Sequence, residues 1–185
     1  MISIRQEKTS DASAREALPD AAYGPVRFEK PSQRLRAGRR AALGLSFVAI
    51  EDGRVVGTVR LWDVTAGPER PALLLGPLAV DPACRNRGIG SALMHHALRA
   101  ANRRGHRAVL LVGDAAYYGR FGFSAARTDR LWLPGLTDKA RMLGCELVAG
   151  GLDRARGTIQ PPRPRATPLA AAAAALSRPL KPKAA

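Results

Sequence analysis

Between Leu78 and Leu93 an apolar run passes through Arg85-Asn86-Arg87-Gly88-Ile89-Gly90-Ser91 straight into a helical pattern. Two glycines and two arginines at such a turn suit phosphate chemistry. The first-turn N–H groups of a helix lack intrahelical acceptors, and the helix dipole adds partial positive charge there. Gly88 and Gly90 present no side chain to hold an anion away, while Arg85 and Arg87 can add charge-assisted contacts. The segment Arg85 to Ser91 therefore reads as a pyrophosphate cradle built from backbone. Two other phosphate patterns do not fit. GxGxxG would need glycine at Leu93, and Gly-Lys-Ser/Thr is absent. A glycine-bearing turn with solvated arginines is the plain structural alternative.

Other reactive side chains are sparse. The apolar run Leu73 to Val80 contains no acid; Asp63 and Asp114 could accept a proton, but each reads first as a turn or capping aspartate. His95, His96 and His106 have no partner at metal-ligand spacing, and adjacent helical residues do not face together. Cys84 and Cys145 are far apart without a CxxC, which argues against a disulfide framework or a zinc site. No metal is expected.

These residues need a frame. Ile2 to Arg5 reads as a short strand, and Asp11 as the N-cap of a polar helix to Leu18. Residues 31–43 read as a basic helix anchored by Leu35 and Leu43. Leu45 to Ile50 and Arg54 to Trp62 flank Glu51-Asp52-Gly53 as a hairpin. Along its second strand Val55, Gly57, Val59 and Leu61 should share one face, and Val56, Thr58, Arg60 and Trp62 the other. The loop Thr65 to Pro71 follows. Gly76-Pro77 interrupts the strand Leu73 to Val80, since proline removes a ladder donor. Ile89, Leu93, Ala97 and Ala101 recur at i+4, with Met94 and Leu98 widening the stripe, and Gly105 stops that helix. Val109 to Val112 is a buried strand, Ala115 to Arg120 a helical turn, Phe123 to Leu133 a lead into a strand, and Cys145 to Val148 the last strand.

The chain has 185 residues and a formal charge of +15. Seven of its 30 basic residues follow Asp153 with no acid among them, leaving 23 against 15 before that point. From about Arg154 prolines recur and alanines run from 170 to 175, a composition that buries too little apolar area to offset its ordering entropy. Residues 1–153 are thus expected to fold as one domain and 154–185 to form a disordered basic tail. A positive field favours anionic ligands: coenzyme A phosphates, nucleic acid or an acidic acceptor. Neither a membrane-spanning apolar run nor the apolar core of a secretory signal is present, so a cytoplasmic location without membrane partners is expected.

Arg85-x-x-Gly88-x-Gly90 resembles the R/Q-x-x-G-x-G/A signature of the GNAT acetyltransferases. Tyr118-Gly119-Arg120-Phe121-Gly122-Phe123 resembles their tyrosine-x-x-x-Gly-Phe element, and the run from Gly113 to Phe123 is closer still to the YhbS-like branch. The similarity covers roughly residues 2–150. It implies an α/β fold with a mixed, splayed β-sheet flanked by helices, and acetyl-CoA as cosubstrate lying in the splay. By that resemblance Leu78, Ala79 and Val80 offer backbone groups to the pantetheine arm, and Arg85 to Ser91 hold the pyrophosphate. Tyr118 falls where the family's tyrosine protonates the leaving thiolate. Many relatives place a glutamate near the fourth strand, and this chain has none there.

The expected function is therefore N-acetyl transfer from acetyl-CoA to a primary amine, with an anionic acceptor favoured by the cationic rim and a monomer or homodimer as the working form. Two alternatives stay open at this level. One is a nucleic-acid-binding module using the basic tail, although the body lacks an RNP signature, zinc fingers or a helix-turn-helix. The other is a non-catalytic acyl-CoA-binding regulator on the same fold.

Overall fold

A computed structural model describes residues 1–68 and 70–162. The main sheet runs β1 (Ile2–Gln6), β2 (Ser46–Glu51), β3 (Arg54–Ala66), β4 (Pro71–Val80), β5 (Ala108–Val112) and β7 (Met142–Glu146) in spatial order 1-2-3-4-5-7. Two short strands, β6 (Leu131–Trp132) and β8 (Gly157–Gln160), pair with each other in parallel, and β8 also pairs with the end of β3. Helices α1 (Ala12–Tyr23), α2 (Pro31–Arg34), α3 (Ile89–Arg103) and α4 (Ala115–Tyr118) flank the sheet. It is the expected mixed α/β architecture. None of these helices is long and apolar enough to cross a membrane.

The single parallel contact of the main sheet positions the site. β4 and β5 are in register only at Leu73↔Val109 and Leu74↔Leu110, after which the strands part. On its other side β4 stays paired with β3 to Val80, but the register shifts between Val59↔Leu78 and Leu61↔Leu75. Two residues, Gly76 and Pro77, thus stand opposite Arg60, a β-bulge placed where the sequence interrupts the strand. The carbonyl of Gly76 accepts a 2.6 Å bond from Trp62 Nε1.

Helix α3 covers one face. Ile89, Leu93, Met94, Ala97 and Ala101 are all buried there, as the i+4 pattern predicts, and Gly105 at φ +80° terminates it. A second cluster on the opposite face includes Trp62, Leu74, Leu110, Leu131, Met142 and Ile159. β3 is consequently buried on both faces. A second register shift, between Ala49 and Ile50, leaves Val56 as an extra residue of β3 and breaks the simple alternation there, so Val56 joins Val59 and Leu61 in the α3-side core.

Five expectations need correcting. The strand expected at Cys145 to Val148 as the last one runs Met142–Glu146 and is followed by β8. The first helix continues past Leu18 to Tyr23, and Asp11 makes no side-chain bond into it. Its carboxylate instead accepts from Lys8 N at 2.7 Å and from the Arg5 guanidinium, which together hold it down at about 2. Residues 31–43 make one helical turn rather than a long helix, because Gly38 at φ +67° ends the run, leaving Leu35 buried and Leu43 exposed. β3 extends to Ala66, into the segment read as loop. Finally, β8 lies beyond 153 and belongs to the sheet, so residues 157–160, assigned to the tail by composition, are part of the fold. The remainder of the expected tail, 163–185, lies outside the described residues.

Tight packing of α3 on β3 gives a direct test. A Cβ at Gly57 would stand 2.9 Å from Leu93 Cδ1 and 3.1 Å from Ile89 Cγ2. Gly57→Ala should lower stability by roughly 1–3 kcal/mol in urea denaturation through overpacking. Adding Leu93→Ala should recover part of that loss, a non-additivity that separated sites would not show.

Candidate active site

The parting strands leave one edge of β4 free from Leu75 to Val80. Asp81 N donates to Val56 O at 2.9 Å, which fixes the parity of the ladder. By alternation Ala79 turns its backbone groups to β3, while Leu78 and Val80 turn theirs to the opening. The Leu78 carbonyl there accepts a hydrogen bond from the Tyr23 hydroxyl. Of the three expected backbone positions, two therefore face the opening and Ala79 does not.

The turn after β4 leads to the start of α3. Asp81 Oδ1 accepts from Ala83 N at 2.9 Å, fixing the first bend. Asn86 (φ 62°) and Gly88 (φ 76°) both adopt the left-handed conformation, and Gly88 is the N-cap. It provides no side-chain cap, and its carbonyl receives Ala92 N at 2.9 Å. The N–H groups of Ile89, Gly90 and Ser91 precede that first intrahelical bond and point away from the helix. The side chain of Ile89 is buried in the core, so only its backbone is available.

The two arginines differ. Arg87 binds Glu51 on β2 with both guanidinium branches, one at 2.8 Å, and this pairing lowers the Glu51 carboxyl below its usual range. Arg85 is exposed and forms no ion pair among the described residues. Of the two, only Arg85 keeps a guanidinium without an ion-pair partner among the described residues. Gly88 has open space around a built Cβ, whereas one at Gly90 would meet the Tyr117 hydroxyl at 3.0 Å.

Tyr118 stands at the far end of the opening. Asp114 caps α4 by accepting from Ala116 N at 3.0 Å, and Tyr118 N donates to Asp114 O at 3.0 Å. Its ring lies over Gly113, where a Cβ would be 2.3 Å from Cε2. The glycine is needed for the ring to sit there. Tyr118 lines a cavity of about 70 Å³ with Tyr23, Lys30, Arg36, Pro77, Leu78 and Val112 among its other walls. Burial, reinforced by Tyr23 and Tyr117, pushes the Tyr118 phenol well above its ordinary range. Burial also raises Tyr23.

Among the described residues no carboxylate lines that cavity. Asp114 is occupied as a cap, and Asp63 is exposed outside it, its carbonyl accepting from Arg39. His96 packs edge-on against Phe47 and His95 against Phe121. No cluster of three potential metal ligands occurs among the described residues. Tyr23, Lys30 and Arg36 were not singled out from sequence. Only Arg36 falls in an element read from sequence, the basic helix of 31–43, and what brings the three together is long-range packing against β4.

The acetyltransferase (GNAT) family model matches residues 12–123, which include the bulged strand, the uncapped helix start and Tyr118. The chain belongs to the GNAT acetyltransferase family. It is 35% identical over 125 residues to the uncharacterized N-acetyltransferase YhbS of Escherichia coli K12, covering 66% of this chain and 74% of the relative. The crystal structure of E. coli YhbS in complex with CoA superposes with a TM-score of 0.73 at 29% identity, over 87% of this chain and 89% of that one. A GNAT family acetyltransferase from Brucella melitensis, solved with acetyl-CoA, gives 0.58 at 35% identity over 68% and 84%. A tRNA-acetylating toxin of Mycobacterium tuberculosis H37Rv is 33% identical over 163 residues, 77% of this chain and 93% of the toxin.

The raised phenol is measurable directly. Spectrophotometric titration of the three tyrosines should show a component that ionises later than free tyrosine. Tyr118→Phe should remove the latest component and leave that of Tyr23, which burial also raises. In Gly113→Ala, where the ring must shift, the late component should move back toward the ordinary range.

Proposed function

We propose that this GNAT protein is an acetyl-CoA-dependent N-acetyltransferase that acetylates a primary amine by direct attack, with Tyr118 as general acid. The observation carrying this reading is the parting of β4 from β5 after Leu74. It leaves a free strand edge between the cavity that Tyr118 lines and the uncapped start of α3. The CoA and acetyl-CoA complexes of the two structural relatives support the choice of donor.

In this reading the N–H groups of Ile89, Gly90 and Ser91 bind the pyrophosphate and Arg85 adds a charge-assisted contact. Asn86 and Gly88 supply the turn that aims those amides. Arg87 acts one step back, tying the turn to β2 through Glu51. The open-edge backbone groups of Leu78 and Val80 pair with the amides of the pantetheine arm, while Ala79 holds the strand to β3. With acetyl-CoA so placed, the amine nitrogen attacks the thioester carbonyl and a backbone N–H of the open edge steadies the oxyanion. The C–S bond breaks and the thiolate takes the Tyr118 proton. The proton shed by the new ammonium returns to Tyr118 through water. A carboxylate base is not required if the acceptor arrives neutral, and the cationic walls promote this by lowering the pKa of a nearby ammonium. A cytoplasmic location belongs to the same reading.

Calorimetric titration of acetyl-CoA into wild type and a folded Gly90→Asp variant tests the donor site. Micromolar binding should be lost in the variant, because its carboxylate opposes the phosphates at the helix start. No binding by folded wild type would sink the reading. Tyr118→Phe should retain acetyl-CoA affinity yet lower kcat by roughly 10²-fold, the lower end for a positioned general acid. Because Tyr118 stays protonated, wild-type rate should rise with pH as the acceptor deprotonates, without a falling limb from this phenol below its raised pKa. Unchanged turnover in Tyr118→Phe would remove the general-acid role.

A second reading, nucleic-acid binding, has one specific observation in its favour. Arg70, Arg130, Arg154 and Arg156 surround a surface cavity beside Ala66 and Pro68, and form no ion pair among the described residues. The tRNA-acetylating relative makes RNA the sensible probe. Retention of RNA with a steep log–log dependence on salt, reduced by alanine at these four positions, would support it.

A further inference from the structure

The wall of the cavity facing β4 contains a buried guanidinium with little to bind. Arg36 is 9% exposed. Its contacts are Nε to Ser32 O at 3.2 Å and Nη2 to Ser32 Oγ at 3.3 Å. A guanidinium has five N–H donors, so most of its capacity is unused by these two long bonds. Among the described residues no carboxylate pairs with it. Its Nη1 lies over the bulge, 3.5 Å from where a Cβ of Gly76 would be. Buried arginines ordinarily have an anionic partner, because an uncompensated buried charge is costly.

Arg36 also stands in a wall shared by two cavities. The first holds Tyr118 and Leu78, and the second is lined by Arg15, Arg27, Arg39 and Arg60 with one acid, Glu16. The cations are unequally compensated. Arg27 binds Asp20 at 2.6 Å and Glu16 at 3.1 Å, and Arg15 binds Glu7 at 3.1 Å. Arg60 Nε is buried without a hydrogen bond, although Glu7 and Glu16 carboxylates each stand 3.8 Å from its guanidinium. Burial foremost, then Arg27 and Arg60, depresses the Arg36 guanidinium to about 10, the direction expected for a cation lacking its counter-ion. Lys30 is lowered for similar reasons by burial, Arg141 and Arg36.

We infer that Arg36 binds an anionic group of the acceptor, a carboxylate or a phosphate carried a few bonds from the reacting amine. This rests on the acetyl-transfer reading and names its substrate class. The charge of the ligand would supply the counter-ion that the fold omits, and the guanidinium fork suits either anion in two-point contact. The small volume between Tyr118 and Arg36 calls for a short spacer. The same cations that attract the anion disfavour a charged amine at the other end, so the substrate enters the reacting position neutral. Polyamines, cationic along their length, are repelled at both points.

The test uses two matched pairs of amines: O-phosphoethanolamine against ethanolamine, and β-alanine against β-alaninamide. Each is titrated calorimetrically into the full chain, with and without saturating CoA, and each is offered with acetyl-CoA while released thiol is followed. At least one anion-bearing member should bind about tenfold or more tightly than its counterpart and be acetylated with the higher kcat/KM, the scale of a hydrogen bond to a charged group. Preference in the first pair alone identifies phosphate, in the second alone carboxylate. Arg36→Gln should abolish the preference, and Arg36→Lys should keep part of it. Acetyl-CoA affinity and thermal unfolding of both variants report separately on the donor site and on folding. Equal binding within both pairs, absence of binding by all four amines, or a preference that survives Arg36→Gln would overturn the inference. Should wild type fail to bind acetyl-CoA, the acetyl-transfer reading falls by itself. The titrations without CoA still decide whether Arg36 takes an anion.

Discussion

An eight-stranded sheet that loses the pairing of its only central parallel contact after two residues has to account for the freed backbone. β4 and β5 meet at Leu73 and Leu74 and then separate, so the edge of β4 from Leu75 to Val80 confronts no strand. Unpaired backbone groups in a protein interior are costly, and such an edge persists where something else uses it. Here the bulge at Gly76-Pro77 sets the split. Proline offers no ladder donor, the Gly76 carbonyl is taken by Trp62 Nε1, and the Leu78 carbonyl by Tyr23. What remains open is a short stretch of strand whose direction leads to the start of α3. The proposed donor site and acceptor cavity both follow from that one missing strand pair.

Electrostatics then divide the labour along the opening. At the α3 end the attraction for anions comes from backbone dipoles and Arg85, while Arg87 is neutralised by Glu51 and serves as a strut. At the Tyr118 end the cations are side chains, and the local carboxylates, Glu16 and Asp20, are committed to Arg15 and Arg27. The cavity is left with hydroxyls, carbonyls and cations, and with no carboxylate. Burial holds the Tyr118 phenol protonated, while the cations make an ammonium ion reluctant. Desolvation thus favours the proposed proton donor, and the positive field favours a neutral nucleophile.

Local signals were legible in the sequence to the extent that the structure satisfies them locally. The i+4 stripe of α3, the hairpin about Asp52-Gly53, the glycine turn into the helix and the interruption at Gly76-Pro77 are each decided within a few residues, and each appears where expected. The resemblance extended this to the splay itself. Failures came where distant contacts decide. Gly38 cuts short a helix that composition favours, so that Arg36 turns inward instead of lying on a solvated face. Gly157–Gln160 resembles the proline-rich segment around it in composition, yet finds edges on β3 and β6. Arg87 matches Arg85 in type and spacing, and only the position of Glu51 on another strand separates their roles.

The glycines at the site show how far a residue's reason can differ from the one its motif invites. Gly90 reads as clearance for a phosphate, but the neighbour a Cβ would crowd is the Tyr117 hydroxyl. Gly113 lies outside the signature's glycines, yet it makes room for the Tyr118 ring. Tyr117 and Tyr118 are in edge contact at 4.8 Å, so the two clearances are coupled. The helix start packs on one tyrosine, and its neighbour lines the cavity beside β4. In the acetyl-transfer reading, moving α3 toward or away from β4 would therefore shift the proposed donor end and proton donor together. An aromatic pair set against two positions without a Cβ ties those two ends to each other, as transfer between a bound thioester and an incoming amine would need.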